Sequence, residues 1–168
     1  HAAPVLYAAL ANSGYFPREE LFTLRKLGSR LQGHPGRDHG LPGLELSAGS
    51  LGQGLSVAVG LALAAKIDRA PWRVFSIHGD GELQEGSTWE AAMSAAHHKL
   101  NNLIALVDRN DCQIDGRTSE VMGLEPLRAK WESFGWRVLE CDGNDIAQLV
   151  ETFEVAEHGD VKPTVIIA

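Results

Sequence analysis

Cysteine is scarce in this chain, with two residues, Cys112 and Cys141, among 168. There is no CxxC pair and no ladder of spacings, so neither a disulfide framework nor a structural zinc site is indicated, and a reduced cytoplasmic protein is the expectation. Long hydrophobic runs are missing too. The longest, Leu55 to Ala65, is about half of what a bilayer span needs and carries Ser56 and Gly60, so no segment is expected to cross a membrane. Basic charge is in deficit. Fifteen Lys plus Arg stand against 22 Asp plus Glu, a formal net charge of -7. That balance argues against a general nucleic-acid or anionic-membrane surface while leaving room for a local anion site. Arg18, Arg25, Lys26, Arg30 and Arg37 have no interleaved aromatics on which bases could stack, and they read as solvated charges. No GxGxxG follows a strand pattern, which removes the dinucleotide-binding fingerprint. Internal repeats and low-complexity segments are absent as well.

What is present suits one globular unit. The length is that of a single domain, and 44% hydrophobic residues are enough to bury a core. The chain begins with His1 and stops in a strand-like run, Thr164 to Ala168, so the expectation is a single domain over 1–168, cut at both ends. Its 18 glycines cluster. Two helical stretches, Pro4 to Asn12 and Pro17 to Leu27, precede a segment, 28 to 54, with eight glycines and two prolines that no regular element would accept. This reads as a long functional loop. A helix of small and apolar residues starts at Gly54, with too little polar surface to be anything but buried on most sides. From Trp72 the pattern becomes strand (WRVFSIH), loop (GDGELQEG), helix (STWEAAMSAAHHKL) and strand (NLIALVD), a βαβ unit with parallel strands. A helix over Glu125 to Phe134, a strand over Trp136 to Cys141, a helix over Asp145 to Ala156 and a strand over Thr164 to Ile167 continue the alternation. The fold class is α/β, a doubly wound, mainly parallel sheet with helices on both faces.

In open parallel sheets, ligands bind beyond the carboxyl ends of the strands. His78-Gly79-Asp80-Gly81 follows one strand and Asp108-Arg109-Asn110-Asp111 the next, which brings Asp80 and Asn110 to one sheet edge. A carboxylate and an amide oxygen are hard ligands suited to Mg²⁺ or Ca²⁺, and Mg²⁺ takes one or two protein oxygens while phosphate and water fill its octahedron. The natural guest is a magnesium diphosphate, with the backbone N–H groups of the flanking glycines and the helix starting near Gly86 directed toward phosphate oxygens. Asn101-Asn102 is a poor alternative. At ~3.3 Å per residue that pair sits on the order of 20 Å from the strand's carboxyl end, and it reads instead as the end of the preceding helix. GDG alone could be a tight turn; DRN at the neighbouring strand end is what turns it into a site.

GDGELQEGSTWEAA followed by NLIALVDRNDCQIDG resembles the diphosphate-binding domain of transketolases, and the upstream GHP and LPGLELSAGSLGQGLSVAVGLALAAK resemble the same family in the same order, from His1 to Ala168. The resemblance implies the thiamine diphosphate-binding fold, with thiamine diphosphate and Mg²⁺ as cofactors. By that resemblance Asp80 and Asn110 bind the metal through side chains, and Cys112 through its backbone carbonyl. Gly49 and Gly81 place N–H groups near the diphosphate, and Leu51 and Ile114 pack on the cofactor rings. His34, in GHP, and His1, which resembles the histidine of the family's S-x-G-H-A stretch, reach the sugar hydroxyls. Glu85 and Glu90 match interface acids that link two active sites. Cys112 stands where the family has an aliphatic residue, so a thiolate ligand or a reactive nucleophile stays open beside the backbone role. His78 replaces the apolar residue usual before GDG and has no account beyond a hydrogen bond near the site. His39, His97, His98 and His158, like Glu82, are read as ordinary surface or core residues.

The activity so implied is transfer of a two-carbon ketol unit from a ketose phosphate to an aldose phosphate, as in the pentose phosphate pathway. In the family the glutamate that activates the aminopyrimidine lies on a second domain, so this chain would hold half a site. The spelling AGSLGQG resembles transketolases split into two polypeptides, with a C-terminal subunit or domain as partner and a dimer of heterodimers as the assembly. A fragment of a full-length enzyme would read the same. The rivals are another thiamine diphosphate enzyme, such as deoxyxylulose phosphate synthase or a 2-oxoacid dehydrogenase component, and a non-catalytic binding relative; GHP with LPGLELSAGSLGQG, and Asp80, Asn110, His34 and Glu90 together, weigh against them. A dinucleotide-binding domain ranks last.

Overall fold

The structure, a computed structural model, describes residues 2–158 and 161–168. The chain folds as two compact units that divide between Ser50 and Leu51.

In the first unit, helix α1 (Ala3–Asn12) starts on Pro4, whose missing N–H costs nothing in a first turn. Ala3, Tyr7 and Ala11, spaced four apart, share one face and bury it against Phe16, Leu31, Leu41 and Leu44. Tyr7 donates its hydroxyl to the Gln32 carbonyl at 2.8 Å, which satisfies the polar end of a buried ring. The helix expected over Pro17 to Leu27 is a single 3₁₀ stretch, Arg18–Thr23. The chain then turns back through Arg25 (φ 60°) and Gly28 (φ 79°), and the Arg25 N–H donates to the Leu31 carbonyl. Phe22 and Leu27 point outward, so the segment lacks the continuous apolar stripe that would hold a longer helix on the core.

The second unit is built on a four-stranded, all-parallel sheet in the order β1-β2-β6-β5, from β1 (Val74–Gly79), β2 (Leu103–Asp108), β6 (Thr164–Ile167) and β5 (Arg137–Glu140). Helices α2 (Gly54–Ile67), α3 (Gly86–His97) and α5 (Leu127–Ser133) bury one core against Leu103, Ala105, Val107, Val165 and Ile167. The alternate residues Ile104 and Ile166 face the other way and are covered with Ala156 of α6 (Ile146–Glu157). Helices therefore lie on both faces, as the alternating pattern predicts. Helix α2 buries Leu55, Ala58, Val59, Ala62 and Ala65; these are mostly small residues, which let it approach α3 and the sheet closely. The aromatic centre is Trp131, fully buried between Trp89 and Trp136 at centroid distances of 5.1 and 4.9 Å.

Register decides where the chemistry falls. Along the parallel β1–β2 pair, His78 lies beside Val107 and Gly79 beside Asp108, so the GDG and DRN segments leave the sheet side by side. Past them the chain forms a small hairpin, β3 (Cys112–Gln113) with β4 (Gly116–Arg117), and a single turn, α4 (Thr118–Val121). The sequence does not signal either, since two-residue strands carry no readable period. Asn101 and Asn102 sit in the turn before β2, with the Asn102 side chain donating to the Ala62 carbonyl at 2.9 Å, so they are structural as expected.

Candidate functional site at the end of the parallel strands

Asp80 opens a 3₁₀ turn, Asp80–Gln84, directly after β1, and its carboxylate is fully buried. Oδ1 accepts the Gly81 N–H at 2.9 Å, Oδ2 accepts the Asp111 N–H at 2.8 Å, and the Thr118 hydroxyl lies 3.4 Å from Oδ2. Among the described residues no Lys, Arg or His pairs with it; Arg109, one residue past β2, is engaged by Glu125. A buried carboxylate with hydrogen bonds but no counter-charge is the arrangement that a bound cation completes.

Asp111, which sequence reasoning passed over, builds this arrangement. It adopts φ 57°, a conformation that Asp tolerates better than most residues, and so turns its N–H toward Asp80. Its own carboxylate accepts the Thr118 hydroxyl at 2.8 Å and the Ser119 N–H at 3.3 Å. The Thr118 hydrogen bond leads the effects that hold the Asp111 pKa below its ordinary value. The available signal was the fourth letter of DRND, a residue type at home in the left-handed region.

Asn110 is exposed and its Oδ1 accepts the Cys112 N–H at 2.9 Å, so its amide oxygen already points into the turn it helps to close. Gly81 lies against the hairpin: a Cβ there would come 2.7 Å from the Gln113 Cβ and 3.6 Å from the Cys112 carbonyl oxygen, too close for any residue but glycine without a shift. The structure thus brings Asp80, Gly81, Asn110 and Cys112 into one cluster through Asp111 and the hairpin. Cys112 is exposed and unbridged, and no group of three His, Cys, Asp or Glu that could hold a metal occurs among the described residues. That leaves a soft thiolate site without partners. Ile114, at the hairpin tip, is 75% exposed, and Leu51, before α2, is 47% exposed; both are free to meet a ligand.

Glu85 is the exposed N-cap residue of α3, and Glu90 is exposed on the side of α3 away from its buried face of Thr88, Ala91, Ala92 and Ala95. Trp89 donates its indole N–H to the Leu83 carbonyl at 2.8 Å, which ties α3 to the turn that carries Asp80. In the first unit, exposed His34 lines a cavity of about 260 Å³ with Ala3, Pro4, Leu24, Arg25 and Gly33, and Gly49 lies so close to the His34 ring that a Cβ would overlap it. His1 lies outside the described residues.

His78 and Glu82 form a buried pair that the sequence does not signal. His78 is 2% exposed, and its Nδ1 is 3.1 Å from Glu82 Oε2. Burial raises the Glu82 pKa, but the His78 contact and the N–H groups of Gly52 and Gly79 outweigh it, so the carboxyl titrates below its ordinary value.

Over residues 1–168 the chain matches the family described as "Transketolase, thiamine diphosphate binding domain", and it belongs to that family. It is 45% identical over 168 residues to one of the subunits of apulose-4-phosphate transketolase from Phocaeicola vulgatus, covering all of this chain and 59% of that protein. It is 47% identical over 167 residues to SqwG, a 6-deoxy-6-sulfo-D-fructose transketolase subunit of Clostridium sp., covering 99% of this chain and 60% of that one. The chain therefore spans about three fifths of the length of these relatives. Among solved structures, transketolase from Campylobacter jejuni superposes with a TM-score of 0.92 at 36% identity, over all of this chain and 27% of that chain. The diphosphate-binding fold expected from the sequence is the fold observed. No helix among the described residues is long and apolar enough to cross a membrane.

Proposed function

We propose that this chain holds the diphosphate end of thiamine diphosphate, with Mg²⁺, for ketol transfer between a ketose phosphate and an aldose phosphate. The observation that carries the reading is the Asp80 carboxylate, fully buried, oriented by two backbone N–H groups and without a cationic partner among the described residues. Asp80 and the Asn110 amide oxygen would ligate Mg²⁺ with the Cys112 carbonyl, and Gly81 would offer its N–H group to a phosphate oxygen. The bound cofactor supplies a carbon nucleophile that the side chains lack. This chain's residues would orient it and hold the metal that neutralises it: the Asp111 N–H fixes the Asp80 carboxylate, and Thr118 fixes Asp111, while Leu51 and Ile114 would pack against the rings. His34, with His1, would hydrogen-bond sugar hydroxyls.

The partner in this reading is a C-terminal transketolase subunit or domain that carries the activating glutamate. Glu85, at the N-cap of α3, and Glu90, on it, are exposed and would meet it or a second copy in a dimer of heterodimers. The apulose-4-phosphate and 6-deoxy-6-sulfo-D-fructose relatives are each named as one subunit of a transketolase, which supports a divided enzyme and a sugar bearing an anionic end group. Two unbridged cysteines suit a cytoplasmic setting. The deciding experiment is calorimetry of thiamine diphosphate with Mg²⁺ and with EDTA, followed by a donor–acceptor assay with and without the co-purifying partner. Metal-dependent binding, and turnover only with the partner, are expected. Equal affinity in EDTA, or clear turnover by this chain alone, defeats the reading.

A further inference from the structure

The segment between Leu51 and Gly54, which delivers the chain into α2, has no regular structure of its own, yet Gly52 is buried. Both polar groups of its backbone are satisfied from the far side of the site. The Gly52 N–H donates to Glu82 Oε1 at 3.0 Å, and the Gly52 carbonyl accepts the Ser87 hydroxyl at 3.0 Å. Gly52 sits at φ 83°, and a Cβ there would come 2.6 Å from both the Glu85 Cβ and the Ser87 Oγ, so the close approach requires glycine. Glu82 is in turn held by His78, through Nδ1 at 3.1 Å to Oε2. The side chains of His78 and Glu82 are 2% and 12% exposed.

The ring's other nitrogen explains nothing else about this histidine: Nε2 is buried with no hydrogen-bond partner among the described residues. Burying an unpaired ring nitrogen costs stability that an apolar residue would not cost. What His78 contributes therefore runs through Nδ1 to Glu82, and from Glu82 to Gly52. The ring also lies under the first turn of α2, with Cε1 3.5 Å from where a Gly54 Cβ would stand.

We propose that His78 and Glu82 are positioning residues, a buried pair that clamps the Leu51–Gly54 segment and so fixes Leu51 and the first N–H groups of α2 where the cofactor docks. The inference rests on the thiamine diphosphate reading for what the clamp serves, and on geometry alone for the clamp. Both residues act through the segment and not by touching the cofactor. Leu51, 47% exposed, lies within the segment so clamped.

The test uses the intact protein and two readouts, hydrogen–deuterium exchange of the peptide spanning 51–55 without cofactor, and the Kd for thiamine diphosphate in Mg²⁺. Glu82→Ala and His78→Leu should each speed exchange in that peptide by about tenfold and raise Kd by about tenfold, a loss of about 1.4 kcal/mol. Glu82→Gln keeps an acceptor for the Gly52 N–H, and His78→Asn keeps a donor where Nδ1 stands, so both should stay within about threefold of the parent. That rescue separates a hydrogen-bonded clamp from simple core filling, in which His78→Leu would be the milder change. Unchanged exchange at 51–55 in both disruptive variants overturns the clamp, and faster exchange with parental Kd overturns its role in cofactor docking. If one disruptive variant fails to fold by near-UV circular dichroism, the other, made from the opposite side of the pair, decides. A parent that binds no cofactor defeats the functional reading instead, and exchange then decides the clamp by itself.

Discussion

Replacing Asp80 with Asn isolates charge from shape. The carboxylate is fully buried and accepts N–H groups on both oxygens, from Gly81 at 2.9 Å and Asp111 at 2.8 Å. An Asn side chain fits the same space but must aim its NH₂ at one of those donors, which leaves a buried N–H unpaired at a cost of about 1–3 kcal/mol. Against that, the variant no longer buries an ion without a counter-charge, a relief of the same order. Without ligand the two effects oppose, and the expected change in stability is small. With ligand they do not. At a free cofactor concentration 100 times Kd the parent gains about 2.7 kcal/mol by linkage, and for a domain of this size each kcal/mol moves Tm by about 2–4 °C. The parent should therefore rise by about 5–11 °C when Mg²⁺ and thiamine diphosphate are added together, and Asp80→Asn by less than about 2 °C. Differential scanning fluorimetry with cofactor, metal, both and neither gives the comparison. A ligand-induced shift in Asp80→Asn equal to the parent's would refute the assignment, because a neutral amide cannot replace the charge that is supposed to hold the metal.

Cys112→Ala keeps the backbone carbonyl and should leave metal-dependent cofactor affinity within a few-fold, whereas Asn110→Ala also breaks the 2.9 Å bond to the Cys112 N–H and should weaken it far more by calorimetry. Loss of binding in a folded Cys112→Ala protein would make the thiol the ligand. Gly81→Ala drives a Cβ to 2.7 Å from the Gln113 Cβ and should cost about 1–3 kcal/mol in urea unfolding while displacing the hairpin; parental stability and affinity would contradict the packing described. The Glu20 carboxyl accepts two hydrogen bonds from Arg30, at 2.9 and 2.8 Å, and that pairing holds its pKa below the ordinary 4.5. A depressed acid stabilises the fold above its unfolded pKa and loses that contribution as pH falls through the folded value. The pair is partly exposed, so Glu20→Gln should cost under about 1 kcal/mol at pH 7 and progressively less as pH falls below 4.5, read as a difference in Tm that narrows on acidification. A difference that does not narrow on acidification would assign the effect to packing.

The second unit was legible because its signals are periodic and long. WRVFSIH and NLIALVD read as parallel strands, and the rule that ligands gather beyond carboxyl ends then picks out Asp80 and Asn110. The observed pairing of Gly79 with Asp108 is the register that reading needs. What escaped is short or held by tertiary contacts. Two-residue β3 and β4 have no period, and the expected helix over 17–27 gave way because Arg25 and Gly28 take positive φ to bring Leu31 onto the core. Propensity is a weak prior where seven buried residues, and not one helix face, make the core.

At the site the same division holds, with a twist in which residues were missed. Ligand types are visible in sequence because the chemistry restricts them: a carboxylate and an amide oxygen at adjacent strand ends leave few alternatives. The groups that aim those ligands are not so restricted. Asp111 works through its backbone N–H and its φ, and Thr118 returns to Asp80 only because a hairpin that sequence does not announce folds it back. His78 looked anomalous for want of a partner, and the partner, Glu82, looked ordinary, as a glutamate in a turn usually is. Each was readable only with the other, four residues apart on a chain that leaves β1 and turns at once, so that Glu82 reaches the Gly52 peptide 30 positions upstream and His78 holds Glu82 from behind. A glycine buried at that peptide, with both its polar groups taken by side chains, ties the two oddities together: it demands an acceptor inside the protein, and the acceptor demands a donor to keep it oriented.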